Sequence, residues 1–425
     1  MAGSPAPPPP ARALGALARA WPLTLRGTGA VVIGVASIVC AHAFGVAELL
    51  YVGVLLLASV VLAWVSLWFV HRYGDVSRSF APDVAAVGRG SVVTVHATAR
   101  GGLSGAIARW ADRLPEGIEG DATGILAGAN ALDHVRLTYH LRATRRGIRD
   151  IGPFSMLVTD PFGFTRRRLS LGGVESVTVT PAVVALPPLM EYPGEAGGSL
   201  HTATHQLGEG ADNLIPRAYA PGDSMRRINW RASAHHDELM VRQEEQESTP
   251  EATVVLDRAT RRWPAAAART GADPAFETAV TAAVSAVARL SREGYDVTVI
   301  DTDGRPIGSP VAAGDAVAVE QLALDLATVV SGGDDRLAGL ARLFAGTVAG
   351  PVVVVTAQLT GADADALAPI VAHSALPVLL ASDSSDAVLA RATDAGWRAA
   401  GLAPDGDLAE AWRVATERGS ARAAF

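Results

Sequence analysis

The sequence predicts a two-helix transmembrane hairpin followed by an antiparallel β-sandwich and a doubly wound α/β domain. Three observations support this fold class: two long apolar runs near the start of the chain, a central region in which apolar and polar residues alternate, and a final region in which short apolar strands are separated by amphipathic helices. We therefore divide the chain into a disordered Pro/Arg tail (1–27), the hairpin (28–72), the β-sandwich (73–190), a linker with a motif-bearing segment (191–250) and the α/β domain (251–425).

Composition excludes several classes of function. The 425 residues include 36 basic and 43 acidic side chains, a net charge of −7, so no basic excess is available for nucleic acid. All the basic residues are arginine, which excludes phosphate-loop and Schiff-base lysines. The single cysteine, Cys40, cannot form an internal disulfide or a multi-cysteine metal site. We expect no cofactor.

The predicted hairpin consists of residues 28–44 and 49–70. At 1.5 Å per residue the second run spans roughly 33 Å and the first roughly 25 Å, against a hydrocarbon core of about 30 Å. Two alternatives remain at this point: a signal peptide cleaved after Ala43, and two buried helices of a soluble core. The linker of residues 45–48 is too short for a domain.

The charges that flank the hairpin predict its orientation. Basic residues lie on both sides of it: Arg12, Arg19 and Arg26 precede it, and His71, Arg72 and Arg78 follow it. The positive-inside rule then places the N-terminus and both soluble domains in the cytoplasm, as a multi-pass protein of the inner membrane.

Residues 73–190 alternate with the period of two that is typical of strands. The alternation is clearest over 93–99 and 135–141, and further strands are expected around 154–158 and 176–180. Two basic groups follow these strands: Arg142, Arg145, Arg146 and Arg149, and the run Arg166, Arg167 and Arg168. They either face acidic lipid headgroups or lie on solvated strand faces.

Residues 251–425 read as alternating strands and helices. Strands are predicted at 252–256, 297–300, 351–355 and 376–380, with helices at 276–290, 317–330 and 363–372. Short apolar strands of this kind are typical of a parallel sheet covered on both faces.

The segment before this domain carries the most specific pattern. Pro221-Gly222 predicts a turn, Asp223 is placed to cap a helix from about 224 to 233, and a strand is expected from Leu239 to Gln243. The residues that define the pattern, here called the signature, are Arg217, Tyr219, Pro221, Gly222, Asp223, Arg226, Ile228, Trp230, Leu239, Val241, Arg242 and Glu244.

This arrangement resembles the motif of the bacterial membrane-associated family called domain of unknown function fifty-eight. The resemblance implies that the α/β region is similar to a von Willebrand factor A module. It also implies that the protein works beside MoxR-class AAA+ ATPases and transglutaminase-like membrane proteins. It implies no catalytic activity.

A von Willebrand A module binds magnesium through Asp-x-Ser-x-Ser after its first strand, because a hard cation needs clustered oxygens. The matching position is Asp257, but Ala259 and Arg261 replace the two hydroxyl residues. We therefore expect no metal, with Asp257 as a degenerate candidate.

Other polar groups have simpler explanations than catalysis. Ser233, His235, His236 and Asp237 include the residue types of a hydrolase triad, but they are nearly consecutive. His201 and His205 lie in a glycine-flanked loop, and the stretch 301–304 is expected to be a turn with solvated carboxylates.

Two hypotheses remain for the charged signature residues. Arg217, Arg226, Arg242, Asp223, Glu244 and Glu247 either form an internal ion network or present guanidinium groups to a partner. We predict a non-enzymatic, membrane-anchored scaffold that recruits protein partners, with a membrane-bound hydrolase as the alternative.

Overall fold

The computed structural model describes residues 22–68, 75–98, 107–127, 135–189, 214–218, 228, 230–236, 238–244, 250–346, 349–404 and 406–417. The chain forms two compact units, Met1–Val179 and Thr180–Phe425. The division lies before the predicted end of the β-sandwich at 190. Leu186 is buried in the core of the second unit, and the Leu189 amide donates to Oε1 of Glu293 at 2.8 Å, so this stretch belongs with the α/β fold.

The first unit begins with two long apolar helices, as predicted. Helix α1 spans Leu25–Phe44 and α2 spans Ala47–Ser66. Each is long and apolar enough to cross a membrane. A Cβ atom added to Gly53 would lie 2.7 Å from the carbonyl oxygen of Gly34, so these two glycines let the helices approach closely. Gly45 ends α1 with φ of 67°, which allows the sharp reversal.

The rest of the first unit is antiparallel β structure, which confirms the predicted class. One four-stranded sheet has the order β1 (Val76–Ala81), β3 (Gly90–Ala97), β7 (Val135–Ala143) and β5 (Ile118–Gly120). The other has the order β10 (Arg166–Leu171), β9 (Phe154–Thr159), β4 (Ile107–Asp112) and β6 (Thr123–Ala127). A third sheet contains β2 (Ala85–Ala86), β11 (Glu175–Thr180) and β8 (Gly147–Ile151).

Alternation places every second side chain of these strands in one core. In β7, Leu137, Tyr139 and Leu141 are buried while the residues between them are exposed. Two arginines lie inside as well. Arg146 is buried, so it is not the solvated or lipid-facing charge that the sequence suggested, and Arg78, which the sequence placed among the charges flanking the hairpin, is buried too. The alternation of β1 turns Arg78 inward, whereas Arg146 lies between β7 and β8.

The second unit contains a five-stranded parallel sheet, as predicted. Its order is β15 (Asp296–Ile300), β14 (Glu251–Leu256), β16 (Ala349–Ala357), β17 (Ser374–Ser382) and β18 (Arg398–Leu402). Successive residues of each strand face opposite sides: Val254 belongs to one apolar cluster and Val255 to another. Both faces of the sheet are therefore buried.

Helices cover the two faces. The helices of this unit after β14 are α4 (Pro274–Arg292), α5 (Ala316–Leu326), α6 (Ala341–Phe344), α7 (Gly361–Val371), α8 (Asp386–Asp394) and α9 (Leu408–Glu417), with single turns at Ala265–Ala268 and Leu337–Gly339. Leu290 of α4 and Trp412 of α9 pack in the cluster of Val254. Leu367 of α7 and Leu389 of α8 pack in that of Val255.

Candidate functional site

The described part of the signature forms a two-stranded antiparallel sheet and a short helix. Strand β12 (Leu214–Ala218) pairs with β13 (Met240–Glu244), and α3 (Trp230–His236) lies between them in the chain. The pairing sets Arg217 opposite Val241, Pro216 opposite Arg242, and Leu214 opposite Glu244. The predicted strand at 239–243 is confirmed, and β12 brings Arg217 beside it.

The predicted start of the signature helix is wrong. Ile228 is buried and pairs with Val241 in an isolated antiparallel bridge, so its backbone is extended rather than helical. The helix begins at Trp230 and ends at His236. Pairing with the apolar strand residue Val241 outweighs the helical spacing that the sequence suggested.

The other signature residues divide by what the structure describes. Trp230 is 70% exposed at the first position of α3. The predicted positions Tyr219, Pro221, Gly222, Asp223 and Arg226 lie outside the described residues, as do His201 and His205. The arrangement of the charged signature residues therefore stays a prediction.

A second group of polar residues lies at the carboxyl edge of the parallel sheet. Asp257 directly follows β14, Asp301 directly follows β15, and Thr356 is the penultimate residue of β16. Because parallel strands share their carboxyl ends, these side chains lie at one edge. Strand order reverses between β14 and β16, and α/β proteins commonly bind ligands at such a point.

Asp257 is fully buried at this point, and its carboxylate is held by its neighbours. Oδ2 accepts a hydrogen bond from Oγ1 of Thr356 at 2.7 Å, and Oδ1 accepts one from the Ala259 amide at 3.0 Å. Trp263 Nε1 donates to the Asp257 carbonyl at 2.8 Å. These contacts fix the chain from Asp257 to Trp263.

Arg262 places its guanidinium group among three carboxylates. Its Nε lies 3.3 Å from Oδ2 of Asp257. One terminal nitrogen, Nη2, lies 2.9 Å from Oδ2 of Asp335 and 2.8 Å from Oδ1 of Asp363, and Nη1 donates to Oδ2 of Asp363 at 3.1 Å. The arginine side chain is only 4% exposed. We call Arg262, Asp257, Asp335 and Asp363 the arginine cluster.

Electrostatics in the arginine cluster follow from burial and pairing. Burial alone would raise the pKa of Asp363, but hydrogen bonds from Arg262 and Thr360 outweigh it and lower that pKa to about 2. Burial raises the pKa of Asp257, and the bonds from Thr356 and Ala259 offset part of this rise. Burial also opposes the charged form of Arg262, but its carboxylate partners raise its pKa overall.

The arginine cluster does not fit a divalent cation. A hard cation needs several oxygens converging on one point, and here those of Asp257, Asp335 and Asp363 converge on a guanidinium instead. Among the described residues, no group of three or more His, Cys, Asp or Glu side chains is arranged to hold a metal ion.

The remaining candidates show structural roles. The Met240 amide donates to Oγ of Ser233 at 2.8 Å, so this hydroxyl joins α3 to β13. The turn at 301–304 is confirmed by the hydrogen bond from the Gly304 amide to the Asp301 carbonyl. Its carboxylates are not both solvated, since Asp301 is buried and lies 2.9 Å from Nε of Arg258.

Sequence reasoning named Asp257 and missed the other three members of the arginine cluster. Arg262 and Asp335 lie in loops, and Asp363 lies in the first turn of α7, 101 residues after Arg262. They meet because the sheet brings these elements to one edge. A usable signal was the basic pair Arg261-Arg262 in the loop that begins at Asp257, directly after β14.

Comparison with known families bears on the segment that contains both the signature and the arginine cluster. Residues 216–389 match the model of the family described as "Protein of unknown function DUF58". This match supports the resemblance that the signature residues predicted. The DUF58 match begins in β12 and ends in α8, so it covers the signature and most of the parallel sheet. No curated protein matches the chain.

Solved structures with some similarity match about a quarter of the chain. A cohesin module of a family 33 glycoside hydrolase from Clostridium perfringens is 14% identical, with 25% of this chain and 96% of that chain covered and a TM-score of 0.18. A protein of unknown function from Porphyromonas gingivalis is 18% identical. The match covers 27% of this chain and 51% of that chain, with a TM-score of 0.20. TM-scores this low support no conclusion about the fold or function of this chain.

Proposed function

We propose that this protein is a membrane-anchored, non-enzymatic scaffold whose signature segment and α/β unit recruit protein partners. In this proposal α1 and α2 span the inner membrane and both soluble parts lie in the cytoplasm. The α/β unit is a von Willebrand A-like module without the metal. The resemblance suggests a MoxR-class AAA+ ATPase and a transglutaminase-like membrane protein as partners.

The observation that carries the proposal is Trp230. It is 70% exposed on a short helix inside the family-matched segment, and large exposed aromatic side chains commonly anchor protein interfaces. The contact of Ser233 with Met240 joins the helix to β13, so the backbone that carries the indole is held in place. A rigid aromatic anchor suits recognition, because little side-chain entropy is lost on binding.

The arginine cluster supports the non-enzymatic part of the proposal. The carboxyl edge of the sheet is where an α/β enzyme would bind its substrate. Here Arg262 is 4% exposed and occupied by three carboxylates, so its guanidinium is committed to the fold. The same contacts tie the loop after β14 to the start of α7.

A photocrosslinking amino acid at position 230 tests this function. In native membranes we expect an adduct with an AAA+ ATPase of the MoxR class. The matched control is the same crosslinker at Val317, which is 75% exposed on α5 in the same unit. Adducts of equal yield at both positions, or no ATPase adduct at 230, would contradict the proposal. Substrate turnover by the purified protein would favour the hydrolase instead.

A further inference from the structure

The β9–β10 turn contacts the start of the helical hairpin. The Thr24 amide donates to the carbonyl oxygen of Phe164 at 2.8 Å, and the Arg166 amide donates to the Pro22 carbonyl at 2.7 Å. Thr24 is also the N-cap of α1, since its hydroxyl oxygen accepts from the Gly27 amide. A Cβ on Gly27 would lie 2.0 Å from the Phe164 carbonyl oxygen, so a glycine is required for this approach.

The same strand contacts the end of the hairpin. Nη1 of Arg167 donates to the carbonyl oxygen of Leu67, the C-cap residue of α2, and its guanidinium lies 6.0 Å from the ring of Trp68. A cation is favourable at a helix C-terminus, where carbonyl groups lack partners. Strand β10 therefore holds both ends of the hairpin at once.

These contacts determine where the β9–β10 turn lies relative to the membrane. Each helix has 20 residues, about 30 Å at 1.5 Å per residue, which equals the thickness of the hydrocarbon core. If the hairpin spans the bilayer, its ends lie at the boundary of the core. The β9–β10 turn, bonded to both ends, then lies at the level of the lipid headgroups.

The side chains at that level have the chemistry of a membrane interface. We call them the membrane-proximal patch, and they are Arg26, Trp68, Phe162, Arg166 and Arg168. Phe162 and Trp68 are 62% and 66% exposed, and the three arginines are exposed as well. Aromatic rings are enriched at the headgroup level, and arginines there attract anionic lipids.

The conformation of the β9–β10 turn exposes Phe162 and buries Asp160, the acidic residue of the turn. Asp160 is buried, and its carboxylate accepts hydrogen bonds from the amides of Phe162 and Thr165. Its negative charge is therefore turned inward, away from the patch. Gly163 has φ of 73°, a conformation that favours glycine, and Phe162 stacks on Phe164 with 6.0 Å between ring centroids.

We propose that the membrane-proximal patch binds the surface of an anionic bilayer, with Phe162 among the headgroups and Arg26, Arg166 and Arg168 paired with lipid phosphates. The proposal rests on the hairpin being a membrane anchor. As a consequence, the β structure of the first unit is held against the membrane by its own surface as well as by its connection to the hairpin. Each arginine should strengthen that contact roughly fivefold, by analogy with other basic segments near anionic membranes.

The test places a fluorescent probe on the full chain in nanodiscs. The probe is attached at Pro161→Cys after Cys40→Ala removes the single native cysteine. The matched control is Asp121→Cys, an exposed position near the opposite end of the same sheet. A third sample labels the native Cys40 within α1. Nitroxide lipids, labelled on the headgroup or on the acyl chain, quench probes that lie close to them.

We expect headgroup nitroxides to quench the Pro161 probe severalfold more than the Asp121 probe. Phosphatidylglycerol should strengthen this quenching relative to phosphatidylcholine alone, and Arg166→Ala with Arg168→Ala should weaken it. Equal quenching at Pro161 and Asp121, with Cys40 quenched by acyl-chain nitroxides, would overturn the patch and keep the anchor. An unquenched Cys40 probe would overturn the anchor itself. Quenching insensitive to lipid charge and to both arginines would overturn anionic recognition.

Discussion

Arg78 and Asp112 form a bidentate ion pair in the core of the first unit. Nε of Arg78 lies 2.8 Å from Oδ2 of Asp112, and Nη2 lies 2.9 Å from Oδ1. Neither side chain is more than 1% exposed, and the hydroxyl of Tyr139 donates to the same carboxylate at 2.9 Å. The pair joins β1 of one sheet to β4 of the other, so it fixes how the two sheets meet.

Arg78→Ala should therefore destabilise the first unit strongly. The substitution leaves the Asp112 carboxylate buried without its cation, which costs about 3–5 kcal/mol. Hydrogen exchange of β3 and β7 amides in the full chain measures this, and we expect exchange about a thousandfold faster. The double variant Arg78→Leu, Asp112→Leu should recover most of the loss.

The control for that experiment is Arg145→Ala. Arg145 pairs with Glu116, but these side chains are 44% and 81% exposed. Water screens such a pair, so its loss should cost less than about 1 kcal/mol. Equal effects of Arg78→Ala and Arg145→Ala would contradict the structural role of the buried pair.

Local patterns in the sequence were sufficient for most of the fold. The two apolar runs gave α1 and α2, alternation gave β3 and β7, and the valine-rich run at 351–355 gave the central strand β16. Each of these signals lies within one element, where periodicity and burial coincide. Strand β18 was missed because its sequence, Arg398–Leu402, contains two alanines and a glycine and little strand-favouring bulk.

Long-range pairing could not be predicted in the same way. Arg78 looked like a charge flanking the membrane hairpin, but its inward position in β1 and the partner Asp112 bury it. Ile228 had helical spacing, but it pairs with Val241. The arginine cluster depends on two loops and the start of α7 meeting at one sheet edge, and no spacing within the sequence encodes that meeting.

Removing the guanidinium of Arg262 should both destabilise the second unit and create a response to divalent cations. Arg262→Ala leaves three carboxylates without their shared cation, which should cost about 3–5 kcal/mol. Calcium at millimolar concentration should then raise the melting temperature of the variant, since a ligand stabilises the state that binds it. Melting curves of the full chain measure both effects.

In the unsubstituted protein, calcium and magnesium should leave the melting temperature of the second unit unchanged. The control variant is Arg261→Ala, because the Arg261 side chain is 77% exposed and lies 3.8 Å from Asp335. It should neither destabilise the unit nor gain a calcium response. A saturable rise in the unsubstituted protein that Asp257→Ala abolishes would show that a metal site is present.

The stability of the second unit should fall between about pH 4 and pH 2 because of Asp363. Its pKa is about 2 in the folded chain and about 3.9 in an unfolded one. A lowered folded pKa means that the contribution is complete above pH 4 and is lost as pH falls through 2. The difference corresponds to on the order of 2 kcal/mol. Asp257, whose pKa is raised, acts in the opposite direction.

Denaturant unfolding at a series of pH values checks this assignment. Asp363→Asn should lower stability at pH 7 and flatten the slope below pH 4. The control, Asp365→Asn, removes an exposed carboxylate that pairs with Arg391, and it should leave the profile close to that of the unsubstituted protein because water screens the pair. A profile unchanged by Asp363→Asn would place the acid sensitivity elsewhere.

The orientation of the hairpin gives the last prediction. With Arg78 buried, the described charges beside the hairpin ends include Arg26, Arg166 and Arg167, whereas Glu48 lies at the start of α2, by the turn at the opposite end of the hairpin. The positive-inside rule still assigns the arginine side to the cytoplasm. A fluorescent protein fused after Phe425 should therefore be active, and an alkaline phosphatase fused there should be inactive. Phosphatase fused into the Gly45–Val46 turn should show the reverse, and active phosphatase after Phe425 would refute the orientation.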